Sequence, residues 1–537
     1  MKQNPNKLWL VVLALGWLCD FLFWQQSLGV NFAIFAMACL IGAFYLLLSD
    51  GLRPHRTSLI LVPLFIFFSA VTFIRAEPMT TFLSFTFTLL TLTILTITYL
   101  GGRWLQYTLA DYLSKTALLI INMIVRPIQF SLDVRKAQAE SGIKSSKYNF
   151  MPILRGLIIA LPIVAIFASL LSSADVVFGQ RLDDFIELFK LENLPEYIFR
   201  LIYILVIGYA LAGVVLYASS ESKDEKLIGE DKPTIPPFLG FTESSIILGS
   251  VIILFAIFVV IQFQYFFGGE TNINVEGYTY AEYARNGFGE LVTVAFFALL
   301  MLLTLSAITK RATESQRKIY SGLGVALVAL LLVMLVSAFQ RLNLYEAAYG
   351  FSRIRTYTHV FLIWLGLLLV ATIVLEMLRK ERLFAIAMLI ASFGFAISLP
   401  LLNVDAFIVN QNIKRELTQP NAVDLDSQYF IELSDDAVPA LVDALHSSTL
   451  PDSVHEKVVA ALACIRYERE QQKRYDEEDD DEYSWQEFHL SRFYADVALS
   501  SVRAEIDTYQ VDDDESWNPI IITPSGVKFN CYSYYYD

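Results

Sequence analysis

The chain has 537 residues, 55% of them hydrophobic, with 40 Phe, 27 Tyr and a formal net charge of −14. That composition excludes an ordinary soluble globular protein. It also lacks the clustered positive charge that a nucleic-acid surface needs to replace phosphate counterions. The charge is uneven: residues 403–537 hold 28 Asp and Glu against 10 Lys and Arg, a net of −18, which leaves +4 for residues 1–402.

Eleven apolar runs occupy the first 400 residues: 8–23, 28–48, 58–73, 80–100, 153–172, 197–217, 244–266, 291–308, 320–338, 360–375 and 383–402. A spanning helix needs about 17 to 25 mostly apolar residues, because lipid offers no partner to backbone N–H and C=O groups. The expected fold class is therefore an all-α polytopic integral membrane protein with about eleven spans and a small, mainly α-helical, acidic C-terminal soluble domain. No small-x-small cleavage site follows the first run, so it reads as an uncleaved helix.

Four parts are expected. Residues 1–101 form a four-helix transmembrane part, and residues 102–152 a cytoplasmic basic segment. Residues 153–402 form a seven-helix core, and residues 403–537 the acidic domain. Within 104–131 the uninterrupted apolar core covers only 117–125, flanked by Asp111, Lys115 and Arg126. This reads as an amphipathic helix at the inner surface rather than a span.

Lys and Arg in short loops mark the cytoplasmic side. Lys2 and Lys7, Arg53 and Arg56, the basic stretch from Arg103 to Lys147, the group from Lys310 to Lys318, and Arg379, Lys380 and Arg382 all fall inside on this reading. The loops 174–196, 267–287 and 339–357, and the tail, fall outside.

In the tail, Ser434 reads as the N-cap of a helix ending near Leu445. Pro451 opens a second helix with Val454, Val458, Val459, Leu462 and Ile465 on one face. Ser484-Trp-Gln-Glu487 reads as a capping box for a third, with Phe488, Phe493, Ala495 and Val497 turned inward. Residues 520–529 read as a β-hairpin around Pro524-Ser-Gly526. The acidic runs 476–482 and 512–515 lack the turn glycine of a calcium loop and read as solvated. Cys464 and Cys531 are a possible disulfide if the tail is outside, but spacing does not supply the geometry.

No phosphate loop, nucleophile elbow, paired-cysteine or zinc-helix motif is present. His55, His359, His446, His455 and His489 show no ligand spacing. No cofactor and no metal is expected, and no catalytic residue is assigned.

The unusual residues lie on the expected outer face. One group holds Tyr280, Glu282, Arg285 and Glu290; the other holds Tyr345, Glu346, Tyr349, Arg353, Arg355 and His359. Charges descending toward lipid are costly and normally find partners. Two readings stay open: a polar pocket for an anionic or polar ligand, or an interfacial Tyr and Arg belt whose ion pairs lock the helices.

The stretches YTYAEYARNGFGELV (278–292), RLNLYEAAYGFSRIRTYTH (341–359), NVDAFIVNQNIKR (403–415) and LDSQYFIELSDDAVPAL (425–441) together resemble the bacterial membrane family catalogued as domain of unknown function 4173. The resemblance runs from about 150 to about 450. It implies an uncharacterised bacterial plasma-membrane protein and supplies no activity.

The function expected is non-enzymatic binding, sensing or scaffolding in the cell envelope. Its partners would be the bilayer and an envelope protein met through the acidic domain, with no nucleic acid. The alternatives are a transporter or lipid-handling protein for a polar or anionic solute, and a membrane enzyme using Glu346 or His359 as its acid–base group.

Overall fold

The computed structural model describes residues 5–140, 194–223, 236–267, 288–418, 425–447, 450–478, 484–512 and 519–531. Between these it also describes 160, 164, 167–175, 178–181, 227 and 228. The helices are α1 (Pro5–Phe23), α2 (Val30–Ser49), α3 (Leu61–Ile74), α4 (Pro78–Ile97), α5 (Leu109–Glu140), α6 (Leu194–Ser220), α7 (Phe241–Phe267) and α8 (Phe288–Ile308). They continue with α9 (Glu314–Tyr349), α10 (Arg353–Met377), α11 (Phe384–Leu402), α12 (Val404–Thr418), α13 (Val438–Leu445), α14 (Asp452–Glu478) and α15 (Leu490–Ser501).

Among the described residues, ten helices are long and apolar enough to cross a membrane. The protein is an all-α polytopic membrane protein. Nine of the ten coincide with expected runs, and α5 is the tenth. The third expected run appears as a shorter apolar helix, Ser58–Ile74, and most of 153–172 lies outside the described residues.

Local chemistry sets the helix limits. Pro78 occupies the first turn of α4, while the Glu77 carboxylate accepts from Met79 N (2.9 Å) and Thr80 N (2.8 Å), satisfying donors that have no intrahelical partner. A reciprocal Thr313–Gln316 capping box opens α9. Gly350 closes it at φ +80°, a conformation that penalises a side chain.

Helix packing uses small residues where backbones meet. A Cβ on Gly16 of α1 would fall 2.5 Å from Ile204 O of α6, and one on Gly213 of α6 would fall 2.4 Å from Met123 of α5. In lipid, such close approach is what gives helix pairs their dispersion contacts. Leu248, Leu299, Leu327, Leu331 and Leu369 fill the core between α7, α8, α9 and α10. Phe68, Phe87 and Phe393 fill the space between α3, α4 and α11.

The bundle has two chemically different ends. At one end, His55 N meets Tyr99 O (2.7 Å), Gly101 N meets Ser222 O (2.8 Å), Lys310 N meets Leu239 O (2.8 Å) and Arg311 pairs with Glu381 (3.1 Å). These contacts gather the Lys- and Arg-bearing loops together; this is the basic end. Both halves of α5 touch it. Asp111 accepts from Ile228 N (2.7 Å), while Phe130 and Val134 are buried with Leu8, Leu46 and Leu47.

The opposite end carries the tail. Val404, Ile408, Val409, Leu441, Val458, Val459 and Leu462 share one core there with Leu399 of α11. Strands β1 (Gln510–Asp512), β2 (Ile520–Ile522) and β3 (Lys528–Asn530) form an antiparallel sheet in that order. The expected hairpin is its β2–β3 half, with Gly526 at φ +87° in the turn.

Helix α14 begins one residue after Pro451 and extends into the acidic run as far as Glu478. Ser434 caps a single 3-10 turn, Asp435–Ala437, that leads into α13.

The third tail helix differs from expectation. Ser484 makes no side-chain cap bond; a 3-10 turn Trp485–Glu487 intervenes, and the helix starts only at Leu490. Glu487 is occupied elsewhere, accepting from Ser27 N (2.6 Å), and Phe488 O accepts from Val30 N (3.0 Å). That anchorage to the α1–α2 turn prevents the segment from continuing as helix. Of the four residues expected inside, only Ala495 is buried; Phe488, Phe493 and Val497 are exposed.

Candidate functional site

At the tail end, α9 stops and α10 begins within three residues. Phe351 N donates to Asn412 Oδ1 (2.6 Å) and Asn412 Nδ2 donates back to Phe351 O (2.9 Å), fastening this turn to α12. A Cβ at position 350 would sit 2.7 Å from the same Asn412 oxygen, so close approach and positive φ together require glycine.

From this turn α10 projects two polar side chains into the interface with the tail. Arg353 grips Asp405 with two parallel bonds, Nε–Oδ1 at 2.9 Å and Nη2–Oδ2 at 2.6 Å. Asp405 also accepts from Ser434 N (2.7 Å), and Arg353 N donates to the Tyr429 hydroxyl (2.9 Å). One turn on, the Tyr357 hydroxyl donates to Glu77, the residue that caps α4. Asp436 completes the group from the tail side, accepting from Ala76 N (2.7 Å) and Glu77 N (3.0 Å) and facing Arg75 at 3.5 Å.

Asp405, Asp436 and Glu77 are all at least 95% buried. Such carboxylates persist only when every lone pair is engaged. Asp405 and Asp436 link the tail to α3, α4 and α10 in this way.

A second pair lies beside it. His359 Nδ1 is 3.0 Å from Glu346 Oε1, and the ring meets Phe339 edge-on with centroids 4.6 Å apart. Arg355 lies over the Tyr345 ring at 4.1 Å and donates to Gly350 O (2.5 Å) and Tyr349 O (3.3 Å), while the Tyr345 and Tyr349 rings meet at a tilt of 49° with centroids 5.2 Å apart. The fold thus brings Tyr345, Glu346, Tyr349, Arg353, Arg355 and His359 to one end. Glu290 is exposed on the first turn of α8. Tyr280, Glu282 and Arg285 lie outside the described residues.

Several partners escaped the sequence reading. Glu77 carried no pattern of its own. Asp405, Asn412 and Asp436 sat inside noted stretches without a role. Asp20, an acid within the first apolar run, is buried and held by Arg200 through Nε–Oδ1 at 3.1 Å and Nη2–Oδ2 at 2.7 Å. Among the described residues no three His, Cys, Asp or Glu side chains are grouped to hold a metal ion.

The model of the family described as Domain of unknown function (DUF4153) matches residues 62–444, more than half of the chain. The chain belongs to this family. That corrects the expected membership of family 4173. The resemblance rested on short stretches downstream of about 150, whereas the match begins in α3 and takes in α4 and Glu77 as well. No curated protein and no solved structure matches the chain.

His489 sits where the tail meets the end of α3. Burial holds its imidazole below the ordinary histidine value; Arg492 acts in the same direction, and Asp436, Asp435 and a bond to the Thr72 backbone act against it. The unfolded chain takes up this proton near pH ~6.5, while the folded chain takes it up only at lower pH. The unfolded state then binds more protons, so stability falls as pH drops below about 6.5. Thermal unfolding of the detergent-solubilised protein should show a midpoint that declines from pH 7.5 to 5, less steeply in His489→Gln. Identical slopes for the two proteins would contradict this.

Proposed function

We propose that the protein is a non-enzymatic binding, sensing or scaffolding protein of the bacterial cell envelope. Its helix bundle lies in the plasma membrane with the basic end in the cytoplasm, and the C-terminal part is presented outside. On this reading α5 lies along the inner surface, its exposed Leu113, Ile120, Ile124 and Ile128 in the acyl boundary.

The observation that carries the proposal is the interlock of Arg353, Asp405, Glu77, Tyr357 and Asp436. It uses three buried carboxylates, Asp405, Glu77 and Asp436, to join two parts of one molecule, which is what a fixed platform needs. Tyr345, Tyr349 and Arg355 then remain as the candidate contact surface; Tyr280, Glu282, Arg285 and Glu290 are further candidates from the sequence, the first three outside the described residues. The acidic tail is the candidate contact for an envelope protein. Exposed Trp485 lies beside Phe21 of α1 with ring centroids 6.4 Å apart, fitting a membrane-boundary position.

Two reporters fused to the C-terminus test the orientation. Alkaline phosphatase should be active there, and green fluorescent protein should stay dark. A photo-crosslinking residue at Tyr345 or Tyr349 should then trap an envelope component in intact cells. A fluorescent, phosphatase-inactive pair would put the tail in the cytoplasm and end the envelope reading.

A further inference from the structure

The basic end holds a polar basin that the tail-end network does not touch. Its volume is about 710 Å³, and Arg311, Arg317, Lys318 and Arg379 surround it with Glu376 and Glu381. Arg311 is held by Glu381 at 3.1 Å and lies over the Tyr320 ring at 4.4 Å, and Arg379 pairs with Glu314. Arg317 and Lys318, adjacent on the first turn of α9, have no ion pair among the described residues.

Beside the basin runs an almost wholly apolar groove of about 720 Å³ between α8, α10 and α11, lined by Phe296, Leu303, Trp364, Leu368, Phe384 and Met388. The Trp364 ring lies flat against Gly394, where a Cβ would fall 2.1 Å from it, and its Nε1 donates to Ser398 Oγ (3.0 Å). The two cavities adjoin at Glu381. This residue lines the basin and accepts from Ser306 Oγ (2.9 Å), one turn beyond Leu303, while Phe384 of the groove is one turn beyond Glu381. From Phe384 to Phe395 the groove rises roughly 16 Å at 1.5 Å per residue, about half of a ~30 Å hydrocarbon core.

One class of molecule fits both parts. We infer that basin and groove together hold an anionic phospholipid, its phosphate between Arg317 and Lys318 and one acyl chain along Trp364. Basic recesses between helices recognise such headgroups by charge, and the groove supplies the chain with the surface of a single leaflet. The site lies at the opposite end from the platform and is independent of the proposed function.

The test uses the full chain in phosphatidylcholine vesicles, reading Trp364 emission as the difference between the wild type and Trp364→Phe. Phosphatidylglycerol with brominated chains should quench that emission at a several-fold lower mole fraction than brominated phosphatidylcholine. The double variant Arg317→Gln, Lys318→Gln should abolish the preference, and Arg317→Lys, which keeps the charge, should retain it. Equal quenching by both lipids would reduce the groove to unselective lipid contact and overturn the proposal, as would no quenching at all. Excess inorganic phosphate should leave the preference intact; if it erased the preference, the basin would be a free-phosphate site and the lipid assignment would fail.

Discussion

Asp405→Ala is expected to release the tail from the bundle and to cost about 3–5 kcal/mol, the usual penalty for leaving one member of a buried pair without its partner. Asp405 is fully buried and accepts three bonds, two from Arg353 and one from Ser434 N. Alanine would strand a guanidinium whose side chain is only 22% exposed, together with a backbone donor. The loss should appear as a lower unfolding midpoint in detergent and as faster tryptic release of the tail. Replacing both partners, Arg353→Met with Asp405→Leu, should recover much of the loss, because two apolar side chains leave no charge uncompensated. An unchanged midpoint in Asp405→Ala would show that the pair does not hold the two parts together.

The helices were legible because apolar periodicity and run length are local, and lipid demands long uninterrupted runs. The local pair Glu346–His359 was legible by both members, 13 positions apart, but the long-range pairs by one member at most. Arg353 and His359 stand out as costly charges near a boundary, but Asp405 lies 52 positions from Arg353 and Asp436 lies 360 from Ala76. Pairing over such separations is decided by tertiary packing, which carries no local sequence period. Asp20 is a similar case: its partner Arg200 lies in the second turn of α6, 180 positions away. The failed capping box at Ser484 shows the converse. The local pattern was correct in kind, yet Glu487 found a better donor on Ser27, 460 positions distant.

Cys464 and Cys531 are joined by a disulfide, and its removal is the second change expected to have a large effect. Cys464 is fully buried on α14, and Cys531 follows β3 directly. The bond closes a loop of 67 positions containing α15 and the three-stranded sheet. In the chain-entropy treatment a loop of that length stabilises the folded state by about 4 kcal/mol. The sheet has little else to hold it: its strands are three residues each, and Ile521 is its fully buried apolar side chain. Cys464→Ala with Cys531→Ala should therefore expose residues 510–531 to protease first. The α12–α14 core should survive longer, because Val458, Val459 and Leu462 share it with Leu441 of α13 and Val404, Ile408 and Val409 of α12, and Ile521 is a single addition from the sheet. Thiol labelling in a Cys19→Ala, Cys39→Ala background reads the same bond in cells. No label should enter the wild-type pair before reduction, since a bridge persists only where the surroundings are oxidising. Ready labelling of both cysteines in intact cells would mean that the bridge does not form there, and it would count against an extracytoplasmic tail as well.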